Sequence, residues 1–316
     1  MTDTVPPMMR ALRLHHYGEP ADVLRLEDAP VPSPGPNQIR VRVHACALNP
    51  ADRALCAGFF FGGPPPRGIG LDVSGVVDAV GQGVASVKVG DPVFGVPDFI
   101  TGHSAGAAEY AVLMAWESVP EGLGLLEASV LPMAVETTVR GLDLLGLTSG
   151  QTILINGGGS MMGFAAVQVA LMRGAHVITT AGDTFAGRLR DFGAKVIPYG
   201  EGMVGRVREI AGGPVDLALH AALAEGVLPD LIEIVGGDPG RVMSISDFDE
   251  GGLGVRTTGR EPGLVPRYDA LGRYARLAAE GRFSVPIART FPLEAWREAL
   301  DLAFGNRARG KVVLLP

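Results

Sequence analysis

A glycine-rich segment that follows a short apolar stretch has the clearest chemical potential in this sequence. Residues 152–163 read TILINGGGSMMG, and a helical pattern continues from Met161 to Arg173. Glycine lets backbone N–H groups approach a ligand closely, and the N-terminus of the following helix favours negative charge. This order predicts a loop that holds the pyrophosphate of a dinucleotide, although a plain tight turn between strand and helix would use the same residues. The predicted cofactor-binding residues of the loop are Gly157, Gly158, Gly159, Ser160, Met161, Met162 and Gly163.

The end of the second predicted strand, at His176–Thr180, bears on which dinucleotide binds. An acidic residue there accepts hydrogen bonds from the ribose hydroxyls of NAD, whereas an arginine accommodates the 2′-phosphate of NADP. The chain continues with Ala181, Gly182 and Asp183, so the strand end is uncharged and the acid comes slightly late. Arg188 could reach a 2′-phosphate or be an ordinary solvated helix charge. We predict NADP as the cofactor, with Ala181, Asp183 and Arg188 at its site, and NAD as the alternative that Asp183 would favour.

The segments on either side of this region differ in their hydrophobic pattern. Up to about Pro120 the chain has short stretches with period-two alternation, such as Ile39–Ala45 (IRVRVHA), separated by turn residues. Alternation of this kind indicates a half-buried, antiparallel or barrel-like sheet. Apolar strands then alternate with helices as far as Gly281, which is typical of a parallel sheet covered on both faces. The sequence predicts an α/β protein with a β-rich domain at residues 1–121 and 282–316 and an inserted dinucleotide domain at residues 122–281.

Composition limits the classes of protein to which this chain could belong. The chain has 316 residues, 45 of them glycines, and 47% of its residues are hydrophobic, so we expect two well-packed domains. Its formal charge is −7, so we expect no nucleic-acid or membrane partner. Cys46 and Cys56 are the only cysteines, which fits a reducing compartment. No apolar run approaches the roughly 18 residues that span a bilayer. The N-terminal residues MTDTVPPMMR lack a signal-peptide pattern, and we expect a cytoplasmic protein.

Six stretches together carry a resemblance to a known family. Besides the glycine loop they are ALNPAD (47–52), GLDVSGVVDAVGQG (70–83), VGDPVFG (89–95), AEYAV (108–112) and RARGKVVL (307–314). In this order they resemble the medium-chain dehydrogenases/reductases of the zinc-independent, quinone oxidoreductase type (the zeta-crystallin-like family). The resemblance implies a GroES-like, β-rich, barrel-type catalytic domain and a Rossmann domain with a doubly wound parallel sheet. It also implies a nicotinamide cofactor in the cleft between the domains, and a homodimer.

The resemblance also implies roles for individual residues. Asn49 corresponds to an asparagine beside the nicotinamide, and Thr137 corresponds to a threonine that does similar work. Asp52 of the same motif is a candidate proton donor, or else a residue that holds its loop through local hydrogen bonds. Further cofactor contacts are implied for Tyr199, near the adenosine half, and for His220, Ser244 and Ile245.

Zinc catalysis is not expected from this sequence. Zinc-dependent members of the superfamily carry a cysteine ligand where this chain has Asn49, and Gly-His-Glu where it has Gly70, Leu71 and Asp72. Both differences remove side chains that zinc prefers. We therefore predict no metal site.

The expected chemistry is hydride transfer from NADPH to a quinone or to an activated alkene such as an enone, with solvent as the proton source. The phenylalanines at Phe59, Phe60 and Phe61 either favour a small apolar or planar substrate or anchor their own loop. Quinone reductases often carry Tyr and Arg where this chain has Ala54 and Cys56, which leaves the acceptor open. The alternatives are an enoyl reductase acting on a polyketide- or acyl-type substrate, and a low-turnover NADPH-binding sensor or partner protein.

Overall fold

The strands and helices are those of a computed structural model that describes residues 6–59, 64–100, 104–246, 252–259, 264–305 and 307–316. The strands are β1 (Met8–Leu14), β2 (Leu24–Pro30), β3 (Ile39–Ala47), β4 (Arg67–Gly68), β5 (Asp72–Val80), β6 (Pro92–Pro97), β7 (Tyr110–Ser118), β8 (Thr152–Asn156), β9 (His176–Thr180), β10 (Lys195–Ile197), β11 (Leu217–His220), β12 (Val242–Ser244), β13 (Arg256–Thr257), β14 (Ile287–Pro292) and β15 (Lys311–Leu315). The helices are α1 (Pro20–Val23), α2 (Pro50–Cys56), α3 (Leu125–Ala128), α4 (Pro132–Leu144), α5 (Met161–Met172), α6 (Asp183–Asp191), α7 (Met203–Ala211), α8 (Leu228–Ile234), α9 (Leu271–Ala279) and α10 (Trp296–Phe304).

The chain divides into two compact units. The first comprises residues 1–133 and 271–316, and the second comprises residues 134–270. The sequence pattern predicts an inserted domain at residues 122–281. In the structure the corresponding unit begins later, at residue 134, and ends earlier, at residue 270. Among the described residues, no helix combines the length and the apolar character needed to cross a membrane.

The first unit is built on a six-stranded sheet in the order β14-β15-β3-β5-β6-β7. Strand β3 also pairs with β7, which closes β3, β5, β6 and β7 into a barrel. On β3, Ile39, Val41 and Val43 are buried whereas Arg42 and His44 are exposed, so the predicted alternation is confirmed. The chain's last strand, β15, pairs with β3, and both chain ends therefore contribute to this unit.

The second unit contains a parallel sheet in the order β10-β9-β8-β11-β12-β13. Counted within the unit, this is the 3-2-1-4-5-6 order of doubly wound dinucleotide-binding domains. The chain runs outward from β8 to β9 and β10 and then crosses back to β11 on the other side of β8, so the topological switch point lies at the carboxyl ends of β8 and β11. A separate apolar core that includes Leu154, Ile178 and Ala218 supports this sheet. The predicted Rossmann architecture is confirmed.

Two helical predictions differ from the structure in detail. The hydrophobic pattern of residues 126–146 predicts one helix, but α3 ends at Ala128 and α4 begins at Pro132. A proline has no N–H to donate and fits only the first turn of a helix, so Pro132 starts a new helix. The pattern of residues 268–280 likewise predicts one helix, but the segment begins with a 3-10 turn at Tyr268–Ala270 before α9.

Candidate cofactor and catalytic site

The glycine loop joins β8 to α5 at the switch point of the second unit. Gly157 has φ of +94°, and a Cβ on it would lie 2.6 Å from the backbone nitrogen of Ala222. A Cβ on Gly158 would lie 2.2 Å from Oγ1 of Thr179, and one on Gly163 would lie 2.1 Å from the carbonyl oxygen of Gly157. Real Cβ atoms do not approach other atoms so closely, so the local fold requires glycine at all three positions.

Gly159 differs from these three glycines because a Cβ on it would have no atom within 4 Å. The fold does not require glycine there, and the space beside Gly159 is open. The first turn of a helix has N–H groups without intrahelical acceptors and a partial positive charge, and α5 is 12 residues long. Open space before such a helix is what a pyrophosphate needs, so this loop fits a dinucleotide.

Ser160 anchors the loop to the start of α5. Its Oγ accepts a hydrogen bond from the N–H of Gly163 at 3.0 Å and donates one to the carbonyl oxygen of Ala221 at 2.7 Å. The serine thus serves as the N-cap of α5 and joins the helix to the chain after β11. Ser160, Met161 and Met162 are all half-buried.

A buried polar network lies behind the loop; of its side chains only His220 is among the predicted site residues. Oγ1 of Thr180 donates to Oδ1 of Asn156 at 2.7 Å and accepts from the N–H of Gly157 at 2.8 Å. The amide nitrogen of Asn156 lies 2.9 Å from Nδ1 of His220. Thr180, Asn156 and His220 are at most 3% exposed, so the network fixes the first residue of the loop from inside the sheet. The available sequence signal was a polar residue at the carboxyl end of three apolar strands.

The residues predicted to select the cofactor lie after β9. Asp183 is exposed and is the first residue of α6, whereas Ala181 is buried. Tyr199, which is predicted to lie near the adenosine half, follows β10 and is 68% exposed. Its ring lies 3.8 Å from the position that a Cβ on Gly182 would take. The guanidinium of Arg188 lies 4.9 Å from the centre of the Phe164 ring. Arg188 therefore packs on an aromatic face rather than extending freely towards solvent.

The remaining predicted contacts of this unit are more deeply placed. Ser244 is fully buried and Ile245 is 8% exposed, at and just after the end of β12. Thr137 lies on α4, is 7% exposed and donates through Oγ1 to the carboxylate of Glu136 at 3.2 Å. Its neighbour Thr138 donates to the carbonyl oxygen of Met162 at 3.3 Å, which ties α4 to the glycine loop.

In the first unit, Asn49 and Asp52 begin helix α2 inside the protein. Asn49 is the residue before the helix, and Oδ2 of Asp52 accepts its backbone N–H at 2.8 Å. The other oxygen, Oδ1, accepts the N–H of Gly70 at 2.7 Å. Burial raises the pKa of Asp52 to about 7, an effect that these two hydrogen bonds oppose and the nearby carboxylate of Asp72 reinforces. Asp52 therefore holds two loops together and has no exposed surface.

Lys311, the first residue of β15, completes a buried cluster with Asn49 and Asp72. Its Nζ donates to Oδ1 of Asn49 and lies 3.0 Å from Oδ2 of Asp72. The amide nitrogen of Asn49 donates to the same Oδ2 at 2.9 Å. The other oxygen of Asp72 accepts the N–H of Met133 at 2.7 Å. The cluster thus joins α2, β5, β15 and the start of α4, and its polar atoms are matched as donors and acceptors.

These residues do not fit a zinc ion. Asn49 and Leu71 supply neither thiolate nor imidazole, and both oxygens of Asp72 accept N–H groups, one of them from a lysine ammonium. That fixed cation would repel Zn²⁺ at the carboxylate. No group of three His, Cys, Asp or Glu side chains within the described part of the chain could hold a metal.

The two cysteines and the aromatic loop add little to this site. Burial raises the pKa of Cys46 well above its usual value and that of Cys56 to about 12, so both are thiols that fill apolar space. Phe59 is 82% exposed. Phe60 and Phe61 lie outside the described residues.

Some known proteins match almost the whole of this chain, and others match about half of it. A family model described as "Alcohol dehydrogenase GroES-like domain" matches residues 35–124, and one described as "Zinc-binding dehydrogenase" matches residues 192–314. The chain is 28% identical to the chloroplast envelope quinone oxidoreductase homolog of Arabidopsis thaliana over 333 aligned positions, covering 98% of this chain and 99% of that protein. It is 35% identical to the 2-methylene-furan-3-one reductase of Solanum lycopersicum over 178 positions, which cover 53% of this chain and 45% of that protein.

Solved structures agree with these relatives. The quinone oxidoreductase from Coxiella burnetii superposes with a TM-score of 0.81 at 27% identity, covering 98% of this chain and 99% of its own. A GroES-like barrel unit with a doubly wound dinucleotide unit defines a medium-chain dehydrogenase/reductase, and this chain belongs to that superfamily, in its quinone oxidoreductase-like family. It is accordingly a nicotinamide-dependent oxidoreductase.

Proposed function

We propose that this protein uses NADPH to reduce a quinone or an activated alkene, such as an enone. The observation that carries the proposal is the open space beside Gly159, at the N-terminus of α5 and at the switch point of the parallel sheet. The names of two relatives, a quinone oxidoreductase homolog and a methylene-furanone reductase, supply the two classes of acceptor. A quinone and a methylene-furanone share an electron-poor conjugated system, which is the chemical class that we assign to the substrate.

The loop residues Gly157–Gly163 would bind the pyrophosphate, and Tyr199 would contact the adenosine half. The exposed ring of Tyr199 offers a face for stacking, as aromatic rings do for nucleobases. When bound, the dihydronicotinamide supplies a hydride for the acceptor. Ser244, Ile245 and the buried His220 would shape the rest of the cofactor site from the ends of β11 and β12.

The preference for NADPH rests on the uncharged end of β9. Thr179 and Thr180 are buried, and the nearest acid along the chain is the exposed Asp183 on the first turn of α6. An acidic residue close to the adenosine ribose would repel a 2′-phosphate and favour NAD. Asp183 therefore decides between the two cofactors.

Replacement of Asp183 by asparagine tests this preference. If NADPH is the cofactor, D183N should bind NADPH as the wild type does or a few-fold more tightly, because the substitution removes repulsion of the 2′-phosphate. NADH affinity should stay unchanged. A fluorescence titration of both cofactors measures the dissociation constants, and D191N, at the other end of α6, is the control. A tenfold loss of NADH affinity in D183N, with NADH the tighter ligand of the wild type, would reverse the cofactor assignment.

Asn49 and Thr137 are our candidates for residues that orient the nicotinamide or the acceptor. Each already has a polar partner within its own unit, so each would act through a fixed position rather than by exchanging protons. Asp52 is fully buried and both of its oxygens accept backbone N–H groups, which supports a structural role, with solvent as the proton source. We also propose a homodimer, as is common in the superfamily.

The experiment that tests this function is the oxidation of NADPH with a panel of quinones, enones and enoyl thioesters, followed by the absorbance of the dihydronicotinamide. We expect turnover with a quinone or an enone. Turnover with enoyl thioesters alone would identify an enoyl reductase instead. Tight NADPH binding without turnover of any acceptor would contradict the proposal and favour a sensor or partner-binding role.

A further inference from the structure

Three buried side chains, Asn49, Asp72 and Lys311, meet at one point in the first unit although they are distant in sequence. Their exposed fractions are 1%, 0% and 4%. Lys311 and Asn49 are 262 positions apart, and Lys311 and Asp72 are 239 positions apart. Burying an ammonium and a carboxylate removes both ions from water, and their mutual attraction often does not repay that loss of hydration. An apolar set of side chains would avoid this cost, so the cluster needs a reason other than stability.

We propose that Lys311 is a positioning residue whose ammonium takes the place of a metal cation, setting the orientation of the Asn49 amide for the reaction. This inference rests on the proposed function, in which Asn49 lies beside the nicotinamide. Lys311 is not itself expected to touch the substrate. It acts through Asn49, to which its Nζ donates, and through Asp72, whose charge it balances.

The donors and acceptors of the cluster permit only one orientation of the Asn49 amide. A lysine ammonium only donates hydrogen bonds, so Oδ1 of Asn49 must face Lys311. A carboxylate only accepts them, so the amide nitrogen must face Asp72. The same nitrogen lies 3.3 Å from the carbonyl oxygen of Ala47. A flipped amide would place two donors together at Lys311 and two acceptors together at Asp72.

The choice of lysine is itself informative in this chain. Of the 27 basic residues only Lys88, Lys195 and Lys311 are lysines, and the others are arginines. An ammonium is a compact charge with three donors, whereas a guanidinium is planar and larger. The Lys311 ammonium contacts Asn49 and Asp72 at the same time, as a metal ion bound between these two side chains would. Asn49 and Asp72 stand where the zinc-dependent members of the superfamily carry a cysteine ligand and the glutamate of the Gly-His-Glu motif.

The test compares three variants with the wild type. K311M removes the charge and keeps an apolar stem of similar length. The double variant K311M/D72N also removes the charge that Lys311 balances, so no buried ion remains unpaired. K88M is the matched control, because Lys88 is an exposed lysine whose side chain is 83% accessible. For each we would measure the thermal midpoint, the NADPH dissociation constant, kcat with the best acceptor and the NMR signal of the Asn49 side-chain amide, assigned with N49D.

We expect K311M to lower the thermal midpoint because Asp72 loses its partner, and K311M/D72N to restore most of that loss. In both variants kcat should fall about 10- to 100-fold, since Asn49 is no longer held in one orientation, while NADPH affinity stays within about twofold of the wild type. In the double variant the Asn49 amide signal should shift and exchange faster with solvent. K88M should match the wild type in every measurement.

Recovery of both the thermal midpoint and kcat in K311M/D72N would overturn the proposal, because the pair would then be only structural. An unchanged Asn49 amide signal in the double variant would overturn it as well. If the wild type turns over no acceptor, the proposed function fails separately, and the Asn49 signal still decides whether Lys311 orients the amide.

Discussion

At the scale of single residues, Asp52 illustrates how burial changes a side chain's role. Its carboxyl group is enclosed, accepts two backbone N–H groups and has a pKa raised to about 7 by burial. An acid whose folded pKa exceeds its unfolded value stabilises the fold fully below the unfolded value, near 4. That contribution is lost as pH rises through the folded pKa, near 7. Stability linked to Asp52 therefore falls between about pH 4 and pH 7.

The variant D52N tests this linkage. Asparagine keeps the shape but replaces one acceptor by a donor, which would meet an N–H group of Asn49 or Gly70, so we expect a loss of about 1–3 kcal/mol from this mismatch. The stability advantage of the wild type over D52N should be largest at or below about pH 4. It should fall towards pH 8 by as much as ~4 kcal/mol at 1.36 kcal/mol per pKa unit, which is enough to make D52N the more stable protein there. Denaturant titrations at several pH values measure it. A wild-type advantage that grows with pH would show that Asp52 is an ordinary ionised carboxylate.

At the scale of elements, the β8–loop–α5 segment contains glycines with two separate purposes. Gly157, Gly158 and Gly163 are required because a Cβ would collide with neighbouring atoms, most closely at Gly163 with the carbonyl oxygen of Gly157. Gly159 is surrounded by open space and is not required by the fold. The difference separates the glycines that shape the loop from Gly159, beside which we propose that the pyrophosphate binds.

Alanine substitutions at these positions should therefore have different effects. G163A should destabilise the protein by about 1–3 kcal/mol, because the backbone must move to accept the methyl group. G159A should leave the unfolding free energy unchanged or raise it by up to about 1 kcal/mol, while weakening NADPH binding at least tenfold. Thermal unfolding and a fluorescence titration measure the two effects. The control is G205A, at another open position on α7, which should not change NADPH affinity. Wild-type affinity in G159A would mean that the pyrophosphate does not approach this residue.

The sequence predicted those features that depend on neighbouring residues. The glycine loop, the strands β8 and β9 and helix α5 are contiguous, and their pattern was sufficient to predict them. The break between α3 and α4 was missed because the apolar pattern continues across Pro132. The cluster of Lys311 with Asn49 and Asp72 could not be predicted, because it depends on the pairing of β15 with β3. The network of Asn156, Thr180 and His220 depends in the same way on the order of parallel strands.

At the scale of the whole molecule, the chain forms two units with separate apolar cores. One core lies within the barrel unit, which carries the Lys311 cluster, and another lies under the parallel sheet, which carries the glycine loop. The cation buried beside Asn49 and Asp72 in the barrel unit is Lys311, and the residues around it do not fit zinc. We therefore propose that this chain transfers hydride from a cofactor held on the glycine loop, without a metal.

The most direct test is a single-turnover oxidation of NADPH by the best quinone or enone acceptor, with protein treated exhaustively with a chelator. The absorbance of the dihydronicotinamide is followed with and without added Zn²⁺, at NADPH concentrations below and above the dissociation constant. We predict the same oxidation rate with and without zinc. We also predict that the G159A variant approaches this rate only at a much higher NADPH concentration. A rate that requires added zinc, or no oxidation with any acceptor, would contradict the proposal.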